Sequence, residues 1–298
     1  MMLVLKFIML NLTNLALTMF SPMRPEEGLR AVRCRGIMNQ NIFPQVIKLS
    51  HRSILGMIRQ PQSWAPGLFF PLLLAAVYAS QFSKAVTIEG FPFQDVSFLD
   101  FVLPACVVQG VLFGSTNSAS DLAADIENSF MDRLLVSPVS RGSILLSRLA
   151  SAFIYGVAQA AVLIAILVLF GANIAGGASS IVSLVFIAAL LSVSMGSFGI
   201  AIALRTGSQE VVQSTFPLIF VAVFVSSAFF PVQLMDGWYG AIARKNPLTW
   251  VIDPTRRMVI HGFSWTDLGQ SLGIILAIAS IGIAMSIRQL RKRLARAQ

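Results

Sequence analysis

Few residues in this chain are equipped for chemistry, and their spacing limits what they can do. His51 and His261 are isolated, and Cys34 and Cys106 lie far apart, so neither zinc-ligand spacing nor a disulfide framework is present. No phosphate-binding loop of the Gly-x-x-x-x-Gly-Lys-Ser/Thr type occurs, and no lysine follows a glycine. The chain is therefore expected to carry no catalytic, metal or cofactor residues of its own. Its polar side chains concentrate in two segments.

The first holds Asp121, Asp125, Glu127, Asp132, Arg133, Ser137, Pro138 and Arg141. Through it Leu122, Ile126, Phe130 and Leu134 recur every four residues, which stripes one face of a helix. Ser118, three residues before Asp121, fits a capping box, and Pro138 fits a stop. The spacing predicts a short amphipathic helix. Its acidic residues argue against an anionic lipid surface and favour docking into a groove on another protein.

The second segment, 231–267, gathers Trp238, Trp250, Trp265 and Tyr239 with apolar groups such as Leu248, Val251 and Met258. Pro231, Pro247 and Pro254 divide it into pieces too short to cross a bilayer. Trp and Tyr favour the membrane interface, and irregular backbone survives there only when protein shields it. Short re-entrant or interfacial helices capping one end of a bundle are expected.

The elements that must position these segments follow from composition. Of 298 residues 56% are hydrophobic and only 12% charged, about half the usual charge of a soluble domain. Mean hydropathy is +0.77. An ordinary soluble enzyme is excluded and a bilayer protein indicated. The net charge of +9 does not indicate nucleic acid, because the basic residues sit at the ends of long apolar runs.

Six runs are long enough to span: Ser63 to Phe82, Phe98 to Ser118, Leu149 to Phe170, Ile181 to Leu204, Val211 to Phe230 and Leu268 to Ile287. Between Leu149 and Leu204 no Asp, Glu, Lys or Arg occurs. Gly110 with Gly114, and Gly269 with Gly273, have the spacing of close helix approach. Asp100 and Arg148 are expected at helix ends, where snorkelling is cheap. Gln109, Asn117, Gln159 and Gln213 are the large amides in or beside the spans, and bridging between helices is their expected role.

Lys and Arg in short loops mark the cytoplasmic side. With the N-terminus inside, Arg133, Arg141, Arg148, Arg205 and the tail Arg288 to Arg296 face the cytoplasm, outweighing Lys84, Arg244, Lys245, Arg256 and Arg257 outside. Both termini are expected to be cytoplasmic. Residues 41–62 read as an amphipathic lead-in helix on the membrane surface, 63–287 as the transmembrane domain with a cytoplasmic loop at 119–142, and 288–298 as a basic tail. Residues 1–40 read as a dispensable extension, with translation expected to start near Met38.

Three stretches carry a family resemblance. Val108 to Ala119 followed by Asp125 to Arg141, Phe216 to Pro231, and Asn246, Pro247, Leu248 and Thr249 with Asp253 and Arg256 or Arg257 resemble the membrane subunits of ABC-2-type transporters, specifically drug-exporter permeases of the daunorubicin-resistance type. The likeness covers about residues 41 to 290. The family often has a glycine before the Asp-Arg-Leu, where this chain has Ser129 and Phe130.

The resemblance implies an all-α integral membrane protein of six transmembrane helices that pairs with a second permease as a homodimer or heterodimer. Asp121, Asp125, Glu127, Phe130, Asp132, Arg133, Leu134, Ser137, Pro138 and Arg141 would couple it to a separate ATP-binding subunit, which holds the ATP and magnesium. Asn246, Pro247, Asp253, Arg256 and Arg257 would form the external hairpin. The charge-poor interior implies an amphiphilic or lipid-like cargo carried across the cell membrane, with membrane lipids as surroundings. The rival class, an ion-gradient-driven carrier, needs a carboxylate near the bilayer midplane, and no Asp or Glu lies centrally in any expected span.

Overall fold

In the computed structural model, which describes residues 42–82, 96–136 and 141–296, every regular element is helical. The extension 1–40, Met38, Lys84, Ser137 and Pro138 lie outside the described residues. The elements are α1 (Ile42–Ile58), α2 (Pro61–Gln81), α3 (Phe98–Gly114), α4 (Thr116–Glu127), α5 (Phe130–Val136), α6 (Arg141–Leu169), α7 (Gly177–Thr206), α8 (Gln209–Gln213), α9 (Phe216–Phe224), α10 (Gly237–Lys245), α11 (Pro247–Ile260) and α12 (Trp265–Arg296).

A helix that is apolar on every side belongs in the middle of a bundle, and α3 occupies that place, buried from Phe98 to Gly114 except at Leu99. Its start is set by Ser97, which accepts from the Leu99 amide while Asp100 reaches back to the Ser97 amide. Asp100 is thus at a helix end, as expected, but buried, and its second oxygen accepts from the Asn173 amide at 2.6 Å. Around α3 stand α2, α6, α7 and α11, with α12 packed along α7.

Five stretches are long and apolar enough to cross a membrane: Trp64–Gln81, Phe98–Glu127, Gly142–Leu169, Gly177–Thr206 and Trp265–Ala295. The second differs from the expectation of a span ending at Ser118, because α4 continues α3 across Ser115. Ser118 therefore lies inside the helix and caps nothing. The expected span at Val211 to Phe230 is also different. A turn at Ser214 and Thr215 separates α8 from α9, where Pro217 sits in the first turn and supplies no amide to the preceding turn. Gln209–Phe224 is shorter than the five spans, about 24 Å by helical rise against about 30 Å of hydrocarbon. Pro254 does not divide the hairpin, for α11 runs through it with Val251, Ile252, Met258 and Val259 buried on both sides. Tertiary packing there outweighs the lost hydrogen bond.

Of the two glycine pairs, one works as expected. A Cβ on Gly110 would lie 2.4 Å from Leu163 and 2.9 Å from the Gly67 carbonyl, whereas Gly269 and Gly273 face open space. Gln159 from α6 fills that junction, donating to the carbonyls of Gly67 at 2.8 Å and Gly110 at 2.7 Å. Three helices are bridged by one amide. Gln109 is buried without a hydrogen-bond partner, so it does not bridge, and Gln213 is exposed.

Candidate functional site

The acidic segment folds as two helices meeting at a sharp turn. Asn128 and Ser129 break the expected single helix, Ser129 with φ of +56°, a left-handed conformation that favours glycine. The physical reason for the break is what the stripe buries. Leu122 and Ile126 pack inside the protein with Leu145 and Leu149 of α6, Leu204 of α7 and Leu290 of α12, and Leu134 lies partly buried against that cluster. The apolar face points into this chain's own bundle, and the turn lets the chain leave the core. What the turn presents outward is polar: Glu127, Asn128, Ser129 and Arg133 are exposed. Asp132 lies within α5 and Arg141 opens α6.

A charge network braces this turn from behind. Asp125 receives the Arg148 guanidinium on one oxygen and Arg52 of α1 on the other at 3.1 Å. Arg148 also donates to the Ser53 hydroxyl at 3.1 Å, and that hydroxyl donates to Asp121 at 3.5 Å. Arg148 is 7% exposed, so it does not snorkel as expected; it is a buried charge neutralised by Asp125. Arg52 lies 3.9 Å over the Phe130 ring, a cation–π contact. Glu127 accepts from the Gln209 amide at 2.8 Å, fastening the start of α8. The network thus joins α1, α4, α5, α6 and α8. Arg52 and Ser53 were not anticipated as part of it. Both belong to the polar stretch of α1 with Lys48, Ser50 and His51, and nothing in that pattern points to Asp125.

At the opposite end of the bundle the expected hairpin residues gather around the irregular stretch 225–231. Asn246 caps α11 by accepting from the Leu248 amide at 2.9 Å, while its amide nitrogen donates to the carbonyls of Ala222 and Val225 at 2.7 and 2.8 Å. The last carbonyls of α9 are thereby satisfied. Pro247 opens α11, where a missing amide is harmless. Tyr239 donates to the Phe224 carbonyl and Thr249 accepts from the Ser227 amide.

Arg256 is 1% exposed. It donates to the carbonyls of Phe101 at 3.0 Å, Ser227 at 2.7 Å and Ala228 at 3.0 Å, pairs with Asp253 at 3.1 Å, and stacks 3.8 Å over the Phe101 ring. Burial presses its guanidinium down to about 10, against the pull of Asp253, so it stays charged at neutral pH. Arg257 is different: half-exposed, it holds Asp267 at 2.5 Å and ties α11 to α12.

Between these two ends runs a feature the sequence reading missed. Rings of Phe70, Phe113, Phe216, Phe220, Phe224, Phe229, Tyr78 and Phe82 follow one another at centroid distances of 4.4 to 6.5 Å. They form a mostly half-buried aromatic row shared by α2, α3 and α9. The four-residue spacing of Phe216, Phe220 and Phe224 was the available signal. Among the described residues no group of His, Cys, Asp and Glu is placed to hold a metal ion.

Five helices long and apolar enough to cross a bilayer mark this as a multi-pass membrane protein. The chain belongs to the ABC-2 type transporter family, whose model matches residues 44–259. It is 29% identical over 260 residues to a putative transport permease, ycf38, of Cyanophora paradoxa, covering 81% of this chain and 87% of that protein. It is 21% identical over 227 residues to the daunorubicin resistance ABC transporter permease protein DrrB1 of Streptomyces coeruleorubidus, covering 76% and 78%. A probable doxorubicin resistance ABC transporter permease protein, DrrC of Mycobacterium tuberculosis, is 23% identical over 186 residues, covering 62% and 66%.

Proposed function

We propose that this chain is the permease half of an ATP-binding cassette exporter and moves a hydrophobic or amphiphilic compound across the cell membrane. The observation that carries the proposal is the braced turn at Asn128 and Ser129. A polar tip at the end of a continuous helix, held from behind by Asp125, Arg148 and Arg52, is built to receive a push. The push would come from a separate ATP-binding subunit, which supplies the ATP and magnesium and seats against Glu127, Asn128 and Arg133. A second permease, the same or different, would complete the pathway.

On this reading α8, α9 and the stretch after them make a sixth crossing, α10 and α11 dip into the outer leaflet as a hairpin, α1 lies at the inner surface, and both termini are cytoplasmic. The aromatic row supports a greasy, ring-bearing cargo, since stacking favours flat apolar molecules. The names of the drug-resistance relatives agree with this.

The test is reconstitution with the candidate ATPase in vesicles, following export of a fluorescent amphiphile. A catalytically dead ATPase should abolish transport. Arg133→Glu should weaken ATPase capture while the helices stay inserted. Transport by the permease alone, or transport that follows the proton gradient and ignores ATP, overturns the proposal.

A further inference from the structure

Against the outer side of α6, α1 encloses a groove of about 410 Å³ with α6 and α7, within the range of about 300–1,000 Å³ that small-molecule sites occupy. Val46, Ile47 and Ile54 line it from α1, Leu149 and Phe153 from α6, and Phe186 from α7. Its polar liners are Ser50 and His51. The Ser50 hydroxyl already donates to the Ser147 carbonyl at 3.0 Å, so its proton is not available to an occupant of the groove. That suits hydrocarbon and disfavours a peptide backbone, whose polar groups would go unmatched. Ile47 and Ile154 at the mouth are 50% and 46% exposed, leaving the groove open toward the surrounding bilayer.

One rim is charged. His51 is exposed there, and Lys48, three residues earlier and therefore its neighbour on the helix face, is exposed beside it. The whole of α1 contains Lys48, His51 and Arg52 and no Asp or Glu. A second copy of the chain docking symmetrically across this helix would bring the same basic surface against itself. An anionic headgroup meets it with the opposite sign. Contacts of Gln45 with Ser143 and of Ser50 with Ser147 set α1 beside the first turns of α6, at the bundle end where the basic residues collect.

We propose that this groove seats one acyl chain of an anionic phospholipid, with the headgroup against Lys48 and His51. The inference rests on the permease reading for its leaflet, because anionic lipids concentrate on the cytoplasmic side. Bound there, the lipid fills the gap between α1 and the spanning helices and holds the brace of Arg52 and Asp125 against the bundle.

The test uses the full chain in nanodiscs of equal phosphatidylglycerol and phosphatidylcholine, released into mild detergent and weighed intact by native mass spectrometry. One retained phosphatidylglycerol per chain is expected. Ala150→Trp, and Ile154→Trp as a second variant should the first not fold, fill the groove and should remove the retained lipid. Lys48→Gln should lower the preference for phosphatidylglycerol about fivefold, the effect of one interfacial charge, and Lys48→Arg should keep it. The proposal is overturned if no lipid is retained, if both tryptophan variants retain it, or if Lys48→Gln leaves the preference unchanged. A dimer mass that disappears on filling the groove, with no lipid bound in the wild type, assigns the groove to a second copy instead. No ATPase enters the measurement, so its failure is separate from failure of the transport assay.

Discussion

Arg256 and Arg257 are adjacent and chemically identical, yet the structure separates their roles sharply enough to measure. Arg256→Met keeps the stem and removes the guanidinium. The Phe101 carbonyl sits inside α3 and retains access to a helical amide, but the carbonyls of Ser227 and Ala228 lie in irregular backbone and lose their donor. Two orphaned carbonyls cost about 1–3 kcal/mol each. Part of that is returned because a buried charge no longer has to be desolvated, leaving a net loss of roughly 2–4 kcal/mol. At about 2–4 °C per kcal/mol, the detergent-solubilised protein should unfold roughly 5–15 °C earlier, followed by tryptophan fluorescence or loss of helical circular dichroism at a fixed scan rate. Arg257→Gln breaks a pair whose side chains are 41% and 15% exposed, worth about 0–1 kcal/mol after solvent screening. It should shift the midpoint by no more than a few degrees. Arg256→Lys, with charge but no planar fork, should fall between them. An Arg257→Gln loss equal to that of Arg256→Met, or an Arg256→Met midpoint indistinguishable from wild type, refutes the reasoning.

Three further outcomes are expected. Ser129 occupies a left-handed conformation that costs a side-chain-bearing residue about 1–2 kcal/mol, so Ser129→Gly should raise the unfolding midpoint slightly and Ser129→Val lower it; the reverse order would mean the turn is not strained. Asp125→Asn strands the Arg148 guanidinium and should destabilise by about 2–4 kcal/mol, while adding Arg148→Gln should recover more than half, a coupling read from the double-mutant cycle. Gly110→Val should disrupt assembly of α2, α3 and α6, since its Cβ would lie 2.4 Å from Leu163, whereas Gly273→Val in open space should fold normally; size-exclusion profiles in detergent distinguish them.

Much of the architecture was legible because it follows from hydrophobic length alone. Five of the six long apolar runs became candidate spans, two with both limits within four residues of expectation and three running seven to nine residues further at one end. Periodicity, however, says which residues share a face and not what that face meets. Leu122, Ile126 and Leu134 do share an apolar environment, but their partner is the chain's own α6, α7 and α12, a fact that depends on contacts distant in sequence. Arg148 misled for the same reason. Its position beside an apolar run is that of a snorkelling residue, and only the fold brings Asp125 and Arg52 to it. At Val211 to Phe230 the difference is local: Pro217, visible in the sequence, starts a new helix after the turn at Ser214 and Thr215.

The two polar networks share one member, and this constrains how motion can pass through the molecule. The Phe101 carbonyl and ring meet Arg256 near one end of Phe98–Glu127, and Asp125 meets Arg148 and Arg52 near the other. Those two anchor points are joined by consecutive helical turns through α3 and α4, with Ser115 between them still in helical conformation. A helix buried on all sides cannot bend freely, because interiors are close-packed and each side chain is held by its neighbours. On the proposed coupling, a push at the turn of Asn128 and Ser129 would reach the contacts of Phe113 with Phe216 and Phe70 in the aromatic row before the Arg256 clamp. The same push would meet least resistance at the short, interrupted neighbours α8 and α9, which are separated by the turn at Ser214 and Thr215.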